Sequence, residues 1–335
     1  MDKVHGEPLQ SYRVAGIGLH LSGDPGDSLA QFTCWFIASF CAIPDRTAPA
    51  DIKLHIITQG LPASVHAATP PTHQSPAIQT RWQDNRGFLL MDEAACKLDL
   101  QARHGTLWLT PGFWRLPRKR QQKPVLFALI WLLRECRRYV LHASAVAHGG
   151  QGLVMAGISG SGKSTMALTL VQQGWQYLAD DVVLLEPSSV QPRLWGLARG
   201  FTYHPTLLAR LPELATPVSE QAESGGVKQF TDLDTVYPGR HLLCCNLRAL
   251  VFPQVVAQDR SRLFPLEPVQ SLFALIPASP RLMADKNHAA AQLEFLKTLV
   301  MQRPAYRLLA GRDGFGNGQI LETLLTANQV LESCP

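Results

Sequence analysis

Residues 153–174 read LVMAGISGSGKSTMALTLVQQG, and this stretch decides the fold of the chain. The part from Gly157 to Ser164 matches the motif G-x-x-x-x-G-K-[ST], whose glycines let successive backbone N–H groups point at phosphate oxygens. The apolar residues 153–156 predict a buried strand before the motif, and Thr165–Gln173 predict a helix after it. Strand, loop and helix in this order indicate a nucleotide-binding α/β domain.

The chemistry of the motif assigns a role to its polar residues. Lys163 is expected to reach the β- and γ-phosphates of ATP, and the Ser164 hydroxyl is expected to bind Mg²⁺. The helix N-terminus adds a partial positive charge that attracts the same phosphates. The predicted nucleotide-binding residues are Gly157, Ser159, Gly160, Ser161, Gly162, Lys163, Ser164 and Thr165.

Two adjacent carboxylates, Asp180 and Asp181, follow Lys163 and stand between the apolar stretches 177–179 and 182–185. A carboxylate at a strand end beside a phosphate loop can hold Mg²⁺. Its neighbour can take the proton from an attacking hydroxyl. We therefore expect the pair to divide these two tasks, and the alternative is a solvated turn between two strands.

A further strand is predicted over Leu141–Ala147, followed by a turn at residues 148–150 that leads into the strand before the motif. His142 lies on this predicted strand. A lone histidine on a strand is often a structural residue, whereas its proximity to the phosphate loop favours a catalytic role. The pattern alone leaves both interpretations open.

Taken together, these segments resemble the catalytic domain of HPr kinase/phosphorylase, and more closely the HPr kinase-related proteins. The resemblance covers residues 125–187 and rests on HASAVA at 142–147, GISGSGKS at 157–164 and ADDV at 179–182. It implies a P-loop domain akin to that of phosphoenolpyruvate carboxykinase. It also implies that this domain transfers phosphate from ATP to a serine hydroxyl of a protein or peptide.

The resemblance also implies roles for single residues. His142 matches the active-site histidine of the family, Asp180 its general acid/base and Asp181 the neighbouring aspartate, which we assign to the metal. Lys163 completes the predicted catalytic set. HPr kinases assemble into rings, so a homo-oligomer is one expectation from the resemblance, although the sequence itself shows no self-association surface.

The chain departs from the family at one signature, a glutamate two residues before an Arg-Gly pair. The matching segment here is Leu197-Ala198-Arg199-Gly200, with leucine in place of the carboxylate. Neither a metal ligand at this position nor the reverse phosphorylase reaction is therefore implied. Lys228 and Arg240 are either cations that stabilise the transferring phosphoryl group or ordinary surface charges.

The length of 335 residues exceeds what one core commonly supports, which predicts two domains. We expect a smaller β-rich domain over residues 1–120, with substrate recognition as one candidate role, and the P-loop kinase domain over residues 121–335. A helix over Val125–Arg137 is assigned to the second domain. Other predicted elements are a strand meander at 77–109, strands at 247–252 and 306–310, and helices at 269–276 and 288–301.

Composition excludes several classes of protein. The net charge of +5 suits an anionic ligand but is too small and scattered to indicate nucleic acid. The seven cysteines include no C-x-x-C pair, so neither a disulfide framework nor a zinc site is indicated. The N-terminus has no apolar signal core, and the apolar runs are shorter than the roughly 20 residues of a membrane span. These features predict a cytoplasmic protein.

The sequence thus predicts an ATP- and Mg²⁺-dependent kinase that acts on a hydroxyl of a protein or peptide. A kinase with a small-molecule acceptor is the nearest alternative. A transport-type ATPase would require an LSGGQ-like signature and an apolar run ending in Asp-Glu, which we do not find. A nucleotide-binding module without catalysis would keep Lys163 but would need neither His142 nor Asp180.

Overall fold

A computed structural model describes residues 10–24, 27–58, 60–62, 73–75, 78–215, 220–221, 228–279, 286–313 and 321. The described residues up to Arg138 form one compact unit, and the described residues from Tyr139 onward form a second. The sequence predicted a boundary after residue 120, whereas the contacts within the chain place residues 121–138 with the first unit.

The first unit contains a nine-stranded sheet in the order β3-β1-β2-β4-β9-β8-β7-β6-β5. Its strands are β1 Gln10–Val14, β2 Ile17–Gly23, β3 Ala42–Pro44, β4 Ile52–Ile57, β5 His73–Ser75, β6 Ile78–Gln83, β7 Arg86–Leu90, β8 Ala94–Asp99 and β9 His104–Leu109. Strands β6 to β9 pair antiparallel in succession, which confirms the predicted meander.

Two helices complete the first unit, α1 over Asp27–Ser39 and α2 over Arg118–Arg134. Helix α2 contacts β8 and β9, and most of its residues are buried. The predicted helix at Val125–Arg137 therefore exists but begins earlier, and it belongs with the first unit because its apolar side chains cover that sheet. Phe32, Phe36 and Phe40 are fully buried and supply the aromatic part of the core.

The second unit is built on a large sheet with the order β10-β14-β15-β19-β12-β11-β13, and β21 pairs with both β19 and β20. The strands are β10 Tyr139–Leu141, β11 Ala143–His148, β12 Gln151–Ala156, β13 Gln176–Ala179, β14 Val183–Glu186, β15 Arg193–Gly196, β16 Phe201–Tyr203, β17 Glu220–Gln221, β18 Gln229–Thr231, β19 Cys244–Val255, β20 Arg262–Leu266 and β21 Ala305–Ala310. Strands β16, β18 and β17 form a small separate sheet.

Among the described residues of this unit, the α-helices are α3 Lys163–Gln172, α4 Leu233–Val236, α5 Pro268–Leu275 and α6 Lys286–Gln302. The predicted strands and helices in the C-terminal part are thereby confirmed. Strands β12, β19 and β21 run parallel to one another, so their carboxyl ends meet at one edge of the sheet. Ligands in α/β folds bind at such an edge.

Strands β11 and β12 form a hairpin in which His148 pairs with Gln151. Gly149 and Gly150 form its tip with φ angles of 58° and 77°, a left-handed conformation that favours glycine. The turn predicted at this point is confirmed. The predicted strand before it is interrupted at His142, which lies between β10 and β11.

Candidate active site

The glycine-rich loop, residues 157–162, connects β12 to α3, in the strand–loop–helix order that the sequence predicted. Gly157, Gly160 and Gly162 have φ angles of 154°, 83° and 98°. Residues other than glycine rarely adopt such φ angles, because their Cβ atoms collide with the backbone. The glycine spacing of the motif thus produces the tight curl of this loop.

Lys163 begins α3, and its side chain folds back over the glycine-rich loop. Its Nζ donates hydrogen bonds to the carbonyl oxygens of Gly157 at 2.8 Å and Ile158 at 2.9 Å. The residue is only 6% exposed. Burial lowers the pKa of Lys163, and the nearby carboxylates Asp180 and Asp181 partly oppose this effect. A buried cation therefore stands at the mouth of the loop.

Asp180 follows the last residue of β13 and is 4% exposed. Its Oδ1 accepts hydrogen bonds from the hydroxyls of Ser144 at 2.6 Å and Ser164 at 2.8 Å. Its Oδ2 accepts one from the backbone N–H of Thr202 at 3.2 Å. Three donors from three different elements thus hold this carboxylate, and one of them is the predicted Mg²⁺-binding hydroxyl.

Asp181 adopts a left-handed conformation with φ of 65°, which is uncommon for a residue other than glycine. Its carbonyl oxygen lies 3.1 Å from Nδ1 of His142. The backbone N–H of His142 also donates to the carbonyl oxygen of Ala278 at 2.6 Å. His142 and the aspartate pair, far apart in sequence, are therefore neighbours, and the backbone of Asp181 orients the imidazole.

Residues 197–200, where the chain departs from the family signature, lie close to this cluster. Leu197 is fully buried, so the leucine side chain packs in the core. Arg199 forms an ion pair with Asp234 at 2.7 Å, and Asp234 also accepts a hydrogen bond from the hydroxyl of Tyr177 at 2.9 Å. Desolvation, with the Asp234 contact adding to it, raises the pKa of Tyr177. This arrangement anchors Arg199 beside the strand that carries Asp180.

Lys228 and Arg240, the two other cations that the sequence singled out, lie in different places. Lys228 precedes β18 and is exposed, and its charge contributes to the lowered pKa of Lys163. Arg240 bonds to the carbonyl oxygen of Gly174, past the C-terminal end of α3. Ten helical residues span about 15 Å. Arg240 is thus at the opposite end of α3 from Lys163, beside a separate polar cavity that His148 also lines.

Sequence reasoning gave no role to Ser144, Thr202 or Asp234. Ser144 was within the quoted HASAVA segment, and on the predicted continuous strand alternation would have put it on the same side as His142. Its spacing could therefore have marked it as a candidate. Thr202 contributes a backbone N–H, for which the residue type carries no signal. Asp234 is 35 residues from Arg199 in the sequence, so no local pattern marks their ion pair.

Within the described parts of the chain, no three His, Cys, Asp or Glu residues are grouped as ligands of a metal ion. No described helix is long and apolar enough to span a membrane.

No family model matches the chain, and no curated protein does. The solved structure of the Hpr(Ser) kinase/phosphatase from Coxiella burnetii aligns over 58% of this chain and 99% of its own, with 12% identity and a TM-score of 0.32. This is a distant structural similarity.

Proposed function

We propose that the chain is an ATP- and Mg²⁺-dependent kinase that transfers the γ-phosphate to a hydroxyl of a protein or peptide. The observation that carries this proposal is the hydrogen bond between Ser164 and Asp180 beside the buried Lys163. Cation, hydroxyl and carboxylate thereby meet at the end of a glycine-rich loop, which is the arrangement that phosphoryl transfer requires.

The oxygen donors of the site fit Mg²⁺. The Ser164 hydroxyl and the Asp180 carboxylate are 2.8 Å apart, and Asp181 follows directly in the chain. Magnesium is commonly bound by one or two carboxylates together with substrate phosphates, so a site with few protein ligands is adequate. When bound, the ion neutralises charge on the phosphate oxygens.

The residues of the chain would act on the two substrates as follows. Lys163 and the loop amides bind the phosphates of ATP. The acceptor hydroxyl oxygen forms a bond to the γ-phosphorus while the bond from that phosphorus to the bridging oxygen breaks, which releases ADP. The hydroxyl proton passes to Asp180, and His142 positions the acceptor or the phosphoryl group.

The division of work between the aspartates has two versions. The resemblance makes Asp180 the base, and we assign the neighbouring Asp181 to the metal. The hydrogen bond from Ser164 instead supports Asp180 as a metal ligand, because it pairs this carboxylate with the metal-binding hydroxyl. Asp180→Asn distinguishes the two, and Ser164→Ala shows the effect of losing a metal ligand. A base role predicts that Asp180→Asn abolishes transfer with unchanged Mg²⁺-dependent ATP affinity, whereas a metal role predicts that it weakens that affinity as Ser164→Ala does.

Transfer of labelled γ-phosphate in an extract of the source cell tests the proposal. Wild type is compared with Asp180→Asn and with Asp259→Asn, the same change at an exposed position. A protein or peptide labelled by wild type and Asp259→Asn, but not by Asp180→Asn, would support the kinase. Free phosphate without a labelled macromolecule would favour an ATPase or a small-molecule acceptor. ATP binding without turnover would favour the non-catalytic module.

A further inference from the structure

The large sheet of the first unit has two different faces. A Cβ added at Gly105 of β9 would lie 3.6 Å from Leu132, so α2 covers the face on which Gly105 lies. Side chains alternate between the faces along each strand, so the neighbours His104 and Thr106 lie on the opposite face. There, the alternate residues of β4, β7, β8 and β9 form an open face, on which all but Ala95 are exposed or half-buried.

Charged side chains concentrate at one end of this open face. The strand registers put Lys53, His104, Asp99 and Arg86 in one row across the four strands, and Lys97 in the next row. Among the described residues of the open face, Asp99 is the one carboxylate, and it lies 3.8 Å from Arg86. The whole chain has 31 Lys and Arg against 26 Asp and Glu, so three cations to one carboxylate is a local excess of positive charge.

The pKa of His104 responds to this excess. Desolvation lowers the pKa of its imidazole, and the positive charges of His55 and Lys53 lower it further. The carboxylate of Asp99 opposes the shift, whereas Lys97 adds to it. The cations of the open face are therefore close enough to repel one another, and an anion placed among them would relieve that repulsion.

Apolar side chains occupy the other end of the open face. A third row across the same four strands consists of Ile57, Trp108, Ala95 and Leu90. In the row between the two ends, the Nζ of Lys97 lies 5.9 Å from the centroid of the Phe88 ring. Successive rows are about 7 Å apart along the strands, and four strands span about 14 Å. An extended peptide of about five residues covers such a distance and reaches both ends.

We propose that the open face docks an acidic segment of the protein substrate, in which carboxylate side chains accompany an apolar one. This inference rests on the proposed function. Carboxylates of the segment pair with Lys53, Arg86 and Lys97, and its apolar side chain packs against Trp108 and Leu90. Charge complementarity of this kind selects among partners and speeds their encounter. Because both units belong to one chain, docking on the first raises the local concentration of substrate for the second.

Fluorescence anisotropy tests the open face directly. One dye-labelled probe is a short glutamate-rich peptide with a central leucine, and the other has lysine in place of each glutamate. Wild type should bind only the glutamate peptide, and added salt should weaken this binding by screening. Lys53→Glu/Lys97→Glu should raise its Kd about tenfold, because two exposed charge pairs turn from attraction to repulsion. The same variant should bind the lysine peptide.

Arg46→Glu/Lys297→Glu is the matched control, because it makes the same change in net charge at exposed positions outside the open face. It should bind the two peptides as wild type does. The docking face is overturned if wild type binds neither peptide, or if the two double variants behave alike. It is also overturned if a single-stranded RNA binds more tightly than the glutamate peptide, which would indicate a nucleic-acid surface.

Transfer of labelled γ-phosphate in the cell extract connects the open face to the reaction. Lys53→Glu/Lys97→Glu should label the macromolecule about tenfold more slowly than wild type, while its Kd for Mg²⁺·ATP stays within about twofold. Equal rates of labelling by this variant and wild type would overturn the docking face alone. Absence of any labelled macromolecule with wild type would instead overturn the proposed function.

Discussion

Buried polar side chains differ between the two units of this chain. In the first unit, the amide of Gln121 donates to the carbonyl oxygens of Phe113 and Leu116, and that of Gln122 donates to the carbonyl oxygen of Ser39. In the second unit, some buried side chains also bond to main-chain carbonyls, as Thr169 and Ser279 do, but the hydroxyls of Ser144 and Ser164 donate to the buried side chain of Asp180.

The difference distinguishes buried polar groups that stabilise the fold from buried charged groups that can take part in chemistry. A glutamine that satisfies a main-chain carbonyl removes the cost of an unpaired buried acceptor. A lysine and an aspartate held close together out of water cost desolvation energy that an apolar pair would not. Groups of this second kind cluster at functional sites, where chemistry requires their charge. The contrast therefore makes the cluster around Asp180, in the second unit, the place where we expect chemistry.

The largest expected effect is on the aromatic core of the first unit. Phe36→Ala should lower the free energy of unfolding by about 3–5 kcal/mol, since Phe36 is fully buried among Tyr12, Phe32 and Phe40. Urea denaturation followed by near-ultraviolet circular dichroism measures the change. Ile43→Ala, at a partly exposed position, is the control. Loss of ATP binding in a Phe36→Ala protein that remains folded would break the comparison.

Lys163→Met should have the next largest effect, and on function alone. We expect phosphate transfer to fall about 10²–10³-fold, the usual cost of removing one group that stabilises transition-state charge. The rise in Tm that ATP produces should also disappear. Stability without ATP should change little, because the loss of the hydrogen bonds to Gly157 and Ile158 is offset by no longer burying a charged ammonium. Lys297→Met, on the exposed part of α6, should behave as wild type.

Gly200→Ala tests the comparison by disturbing the segment whose backbone holds Asp180 in place. Gly200 has φ of 99°, and an added Cβ would lie 2.2 Å from the ring of Phe230. We expect a loss of about 1–3 kcal/mol in unfolding free energy, together with reduced transfer, because Thr202 two residues later holds Asp180. Gly149→Ala, where nothing lies within 4 Å, should lose less and retain transfer. Equal losses in the two variants would contradict this explanation.

The smallest effect concerns acid stability of the first unit. Hydrogen bonds from Thr47, and then from Arg13, lower the pKa of Asp45 from 3.8 to about 2. Because the folded pKa lies below the unfolded one, the stabilisation exists above about pH 4 and is lost as pH falls towards about 2. Asp45→Asn should therefore flatten the decline of Tm over this interval, whereas Asp92→Asn should leave it unchanged. Parallel curves for wild type and Asp45→Asn would refute the role of Asp45.

The sequence predicted β12, the glycine-rich loop and α3 of the second unit, because the patterns that indicate them lie within a few neighbouring residues. The glycines of the loop, the apolar strand before it and the helix after it are adjacent in sequence, and each follows from backbone preference or burial. The helix begins at Lys163, two residues before its predicted start, because Gly162 already provides the left-handed turn that ends the loop.

The partners of the site residues were less predictable. His142 and Asp180 were singled out, but their hydrogen bonds run to the backbone of Asp181, the hydroxyl of Ser144 and the N–H of Thr202. These contacts depend on β11 pairing between β12 and β13, a long-range order without a local signal. The same limit explains why α2 was assigned to the second domain.

The sequence by itself determined the glycine-rich loop, its flanking strand and helix, and the residue types of the candidate site. Those features follow from steric limits on φ and from the spacing of apolar side chains over a few residues. Only the tertiary structure decided that Ser164 and Ser144 converge on Asp180. Such contacts join segments far apart in the chain, so they arise when the sheet assembles and buries them together.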